Sequence, residues 1–319
     1  MGIVLITGQM LLQFAMGSFK SANITIGSSE AITKANEFKR YLNGNPMFQP
    51  APVVPQGAPL LISPKSPSPA KIEVDTLLEV NNALYTILKN VCDAISICWQ
   101  NWQNSATFQG VLINGPVGLG MPGCLVGTGM EKDMILMQLM PSIQSAQNTR
   151  EAQKAKKESL SLKEPVEGIP SSTRLSSDFD FLKKHYEAIA SALASAWEIW
   201  QSGYQVTLSY PAGAACSLTL PPTPNLPVPL AAGFSPADVI MIKPLLKLQM
   251  DCNYTSAERH PQITDAIFTS IASAFDQAFT LWKAQTQITN VMGAGGVAPA
   301  PPLPPGPVAG AVGTGGKLV

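Results

Sequence analysis

The chain has 319 residues, enough for one large domain or for two to three ordinary ones. Charged residues make up 13%, about half the roughly 25% of an average soluble protein, and Lys+Arg and Asp+Glu are both 21, so no net field recruits nucleic acid or anionic lipid. Five cysteines (Cys92, Cys98, Cys124, Cys216 and Cys252) form no CxxC pair and are odd in number, which argues against a disulfide framework and for assembly in a reducing cytoplasm. So few charges clothe a monomer poorly, and the composition implies that neighbouring chains cover part of the exterior.

In chain order, residues 1–48 read as a strand-rich segment, because apolar residues alternate around "GIVLI" and "ANITIG". The opening has no basic n-region, and Gly8, Gln9 and Gln13 break its apolar run, so neither a secretory leader nor a membrane span is expected. Residues 49–71 are a Pro-rich linker. A long helix is predicted from about 71 to 104, a second over 131–158 with an interruption near Pro141, and further helices near 179–201, 236–249 and 261–287. Residues 159–178 read as a linker and 293–319 as an irregular tail.

Three helical segments share one stripe. Val91, Ala94, Ile95, Cys98, Trp99 and Trp102 recur as Ile189, Ala192, Leu193, Ala196, Trp197 and Trp200, and again as Ile271, Ala274, Phe275, Ala278, Phe279 and Trp282. The offsets i, i+3, i+4, i+7, i+8 and i+11 describe one face of an α-helix, with small residues where another helix approaches and aromatics filling the gap beyond. Each stripe is followed by a short alternating apolar stretch and then by a Gly/Pro-rich excursion through Gly115, Gly213 or Gly295. The first and third excursions end on the same four letters, around Gly127 and Gly129 and around Gly313 and Gly315. Pro-rich uncharged segments can lie extended on a neighbour's surface, so these glycines mark candidate assembly loops. The expected fold is therefore α+β and helix-dominated, with three tandem helix–strand–long-loop units at 72–158, 179–250 and 251–319 and an extended C-terminal arm.

No catalytic, cofactor or metal constellation is legible. His185 and His260 form no metal pair, and no GxSxG, Walker A or strand-to-helix GxGxxG element occurs. The stretch with Thr7-Gly8, Leu11-Leu12 and Phe14 resembles the start of PAAR-like spike-tip proteins of contractile injection machines, with Gln13 where that family carries cysteine. The low charge and Gly/Pro arms are similar in style to virion structural proteins of tailed phages. These resemblances imply a non-enzymatic virion component, in tail or baseplate, made in the host cytoplasm and partnered by other virion proteins. From charge balance and the missing motifs, no nucleic acid, small-molecule ligand or cofactor is expected. A head or neck component, a spike-tip-associated protein and a secreted adhesin or effector are the alternatives.

Overall fold

The three apolar stripes become the spine of the molecule. The computed structural model describes residues 5–21, 69–114, 117–160, 179–210, 223–255, 261–294 and 311–319. Its helices are α1 (Gly8–Ser21), α2 (Pro69–Ser105), α3 (Lys132–Leu160), α4 (Phe179–Gly203), α5 (Lys243–Asn253) and α6 (Pro261–Gln285), with 3-10 turns at Leu230–Ala232 and Pro236–Met241. Its strands are β1 (Thr107–Asn114), β2 (Val117–Gly120), β3 (Leu125–Val126), β4 (Val206–Ser209), β5 (Thr223–Pro224), β6 (Val228–Pro229), β7 (Gln287–Ala294) and β8 (Ala311–Leu318).

The strands form one antiparallel sheet in the order β4-β2-β1-β8-β7-β5, with β3 beside β1 and β6 beside β7. Its two ends meet. Leu226 N donates to Ser209 O at 2.7 Å, and Gln205 and Phe234 exchange both backbone hydrogen bonds at 2.7 and 2.8 Å. The sheet is thus a nearly closed barrel whose edges are paired rather than left as a template for other chains.

This arrangement overturns the tandem units. Around the barrel the strands that leave a long helix (β1, β4, β7) alternate with the strands that return (β2, β5, β8). Strand β2 joins β1 to β4, and β8 joins β7 to β1, so no segment satisfies its own backbone. The reason is that an isolated two-stranded ribbon has two open edges and little stability, whereas sharing the return strands pairs both edges of each.

Helices α2, α4 and α6 run into β1, β4 and β7, so the helical bundle caps one end of the barrel. Three outer helices cover its grooves: α3 packs on α2 and α4, α5 on α4 and α6, and α1 on α6 and α2. Each buries an i, i+4 apolar pair, Ile135 and Leu139, Leu246 and Met250, and Leu11 and Ala15. The third outer helix thus comes from the opposite end of the sequence. Its place corrects the strand-like reading of residues 1–48 over 5–21; 1–4 and 22–48 lie outside the described residues. Thr7 Oγ1 accepts from Met10 N at 3.2 Å to start α1, and Ile6 O accepts from Ser96 Oγ at 2.7 Å to hold that start on α2.

Further boundaries differ. The tail is not irregular throughout, because Ala311–Leu318 is a strand in the middle of the sheet. Helix α3 runs through Pro141, whose exposed position leaves the lost backbone bond open to water. The helix expected over 236–249 divides at Ile242, which is extended (φ −77°, ψ 150°), into a 3-10 turn and α5. Helix α2 begins at Pro69, so the Pro-rich linker 49–71 is helical at its end, and 49–68 lie outside the described residues.

Candidate functional site

All eighteen stripe positions reach one core, Cys98, Ala196 and Ala278 among them. Val91, Ala94, Ile95, Trp99, Trp102, Ile189, Ala192, Leu193, Trp197, Trp200, Ile271, Ala274, Phe275, Phe279 and Trp282 are each buried in it. Their aromatics stack in layers around a common centre. Trp102, Trp200 and Trp282 form a nearly equilateral triangle, with ring centroids 5.9, 5.9 and 6.1 Å apart. One turn up, Trp99, Trp197 and Phe279 form a second, at 5.1, 6.1 and 6.3 Å. Offset and edge-on pairs of this kind add about 0.5–1.5 kcal/mol each beyond their burial.

Polar groups link the triangle in one cyclic sense. The Trp282 indole N–H donates to Gln103 Oε1 at 3.1 Å, and the Trp102 indole donates to Gln201 Oε1. Gln103 and Gln201 each follow the tryptophan of the next helix, but Lys283 stands at that place in α6. An ammonium cannot accept a proton, and Asp238 is interposed: its Oδ1 accepts from Trp200 Nε1 at 2.9 Å and lies 2.7 Å from Lys283 Nζ. Asp238 Oδ2 also accepts from Ser235 N at 3.2 Å, completing a capping box at the 3-10 turn. The helix ends and the strand order therefore share a quasi-three-fold arrangement. The amides and the Asp238–Lys283 pair were missed in the sequence, where the residue after each tryptophan was the available signal.

The candidate assembly glycines divide. Gly127 and Gly129 fold against the chain's own Trp102: an added Cβ would meet the indole Nε1 at 2.7 Å in one case and the backbone N at 2.6 Å in the other. Gly313 packs beside Val111 and Tyr210, and Gly315 takes a left-handed φ of 81° in β8. The shared four letters occupy different places. Val126 stands opposite Thr107, and the equivalent partner of Gln287 is Val319, not Val312. Gly115, Gly213 and Gly295 lie outside the described residues.

Among the described residues, no group of three or more His, Cys, Asp or Glu could hold a metal, and no helix is long and apolar enough to cross a membrane. His185 is buried; its Nδ1 lies 2.8 Å from Phe181 O and its Nε2 3.1 Å from Thr264 Oγ1, so both ring nitrogens are engaged within the core. His260 and Cys216 lie outside the described residues. Burial pushes the Cys92 thiol up to about 12 and the Cys98 and Cys124 thiols up to about 11, which keeps them protonated and unreactive near neutrality. A cleft of about 480 Å³ between the start of α3 and α4 is bordered by Trp102, Glu131, Lys132, Ser195 and Glu198. Glu131 is engaged there, since its Oε2 accepts from Gly129 N at 2.6 Å.

The barrel wall has a different character. Its strands carry a single charged residue, Lys317. Leu119 stands directly opposite Leu112, and Leu112 opposite Val312, so three exposed apolar side chains form one row across β2, β1 and β8. Directly opposed residues lie about 4.5–5.5 Å apart at Cβ, which makes the row contiguous. Val117 in β2 and Met121 just beyond its end are exposed as well. A contiguous exposed apolar surface is the mark of an interaction site. No family model matches the sequence, and no curated protein or solved structure matches it.

Proposed function

We propose that the protein is a non-enzymatic structural component of a bacteriophage virion, in the tail or baseplate, that assembles with other virion proteins. The observation that carries this reading is the charge-poor barrel wall with its exposed Leu119–Leu112–Val312 row. Such a surface is costly to leave in water and suits burial against another subunit. The nearly closed sheet supports it too, because paired edges direct association to side-chain surfaces and away from indiscriminate strand addition. The quasi-three-fold arrangement of the helix ends favours a second, narrower reading: a place on the axis of a particle, as at the spike of a contractile injection machine, facing a three-fold neighbour.

The test is fractionation of particles from a host carrying the gene. The protein is expected to band with purified particles at a fixed ratio to a known structural subunit, and Leu112→Glu to be left in the soluble fraction. Wild-type protein that stays soluble while particles form normally overturns the assignment.

A further inference from the structure

A second apolar surface lies away from the barrel row. Phe234, Val239, Ile242, Leu245 and Leu248 are 58, 56, 41, 39 and 55% exposed. From Val239 onward they recur every third residue, through the 3-10 turn and along the outer face of α5, opposite the buried Leu246 and Met250. Cys252, also exposed, continues that face. Charged groups of both signs lie beside this stripe, most of them in ion pairs. Lys247 is held between Asp251 and Asp265, both at 2.8 Å, Lys283 lies on Asp238, and the Asp276 carboxylate accepts from Lys243 N at 3.1 Å.

The geometry points to a second copy of this chain as the occupant of the stripe, the two chains related by a two-fold axis that lays α5 against α5. The stripe is apolar at its centre with an ion-paired rim, the usual anatomy of an interface. That rim carries no unopposed charge cluster that would repel an identical rim or steer an oppositely charged partner. The five side chains expose on the order of 500 Å² per copy, and two copies together reach the roughly 1,000 Å² that a specific interface needs. An isologous contact is the commonest closed solution for a self-complementary patch. The proposal deepens the assembly reading by naming one of its contacts, and it uses a different surface from the barrel row.

Analytical ultracentrifugation of the full chain tests it. The wild type is expected to dimerise with a dissociation constant on the order of micromolar, typical of a small interface without strong anchors. Leu248→Glu and, separately, Val239→Lys should each weaken the dimer by about 30-fold or more, since each places a charge at the centre of the contact. Both positions are exposed, and an unchanged circular dichroism spectrum confirms that each variant is folded. Leu112→Glu should leave the dimer unchanged. A wild-type chain that is monomeric at about 100 µM overturns the proposal. So does association that survives both stripe variants or is abolished by Leu112→Glu, and that last result would leave the barrel-wall reading intact.

Discussion

At two of the three helix-end junctions an indole meets a neutral amide, Trp102 with Gln201 and Trp282 with Gln103; at the third, Trp200 meets a carboxylate that also holds Lys283. The difference follows from one residue. Where the position after the tryptophan is Gln, the ring of hydrogen bonds closes directly; where it is Lys, two donors face each other and an acceptor has to come from elsewhere. Asp238, from the turn before α5, supplies it and so ties that turn to α4 and α6 together. A quasi-symmetric hub thus tolerates an unequal residue only because a neighbouring segment compensates.

The largest test of the comparison removes the tryptophans themselves. Trp200→Ala and Trp282→Ala should each destabilise the protein by roughly 3–5 kcal/mol in urea denaturation, and by similar amounts, since both rings are fully buried in one triangle. Values that differ by several kcal/mol would show that the junctions are not equivalent in packing. Next comes Asp238→Ala, expected to cost about 1–3 kcal/mol because it leaves Lys283, whose side chain is 14% exposed, and the Trp200 N–H without their acceptor. Adding Lys283→Gln should recover part of that loss and make the third junction resemble the others. A double-mutant cycle without coupling would break the account.

The thiols sharpen the comparison further. Cys98 stands where α4 and α6 carry Ala196 and Ala278. Its folded-state pKa of about 11 lies above the ordinary 9.0, so its protonated form is favoured by folding. That contribution is present in full below pH 9 and lost as pH rises towards 11, because the unfolded thiol ionises first. Cys98→Ala should therefore reduce the loss of stability between neutral and strongly alkaline pH by about 1–2 kcal/mol, read from denaturation midpoints.

A circular permutant tests whether the third outer helix is equivalent to the others. Val319 exchanges backbone hydrogen bonds with Gln287 at 2.7 and 3.0 Å, as Phe234 does with Gln205 just before the turn leading to α5. A short linker from Val319 to Leu5, with new ends between α3 and α4, should preserve the fold at a cost of about 1 kcal/mol. A permutant with no cooperative unfolding would contradict the cyclic arrangement. The smallest effect is at the bulge of β1, where Gly110 has φ 64°, the left-handed conformation that Asn290 also takes in β7 at φ 58°. Gly110→Asn has open space for its side chain and should change stability by only a few tenths of a kcal/mol.

Much of the spine was legible, because burial on a helix imposes a 3.6-residue period that a sequence displays directly. The stripes of α2, α4 and α6 were found from their spacing, and so were the strands that follow Trp102, Trp200 and Trp282. The junction acceptors were not, since Gln103, Gln201 and Asp238 are polar residues with no period, and their role depends on which helix end lies opposite.

The sequence by itself determined that three similar helix faces exist, that each leads into a strand, and that few charges are available to cover the surface. Only the tertiary structure decided how these parts close on one another. Strand order, the placing of β8 between β7 and β1, and the use of α1 as the third outer helix are choices between partners distant along the chain. An alternating or helical pattern states which face of an element must be buried but not against what. The barrel decides that by pairing nearly every strand edge, and the helix bundle by filling the grooves between its long helices.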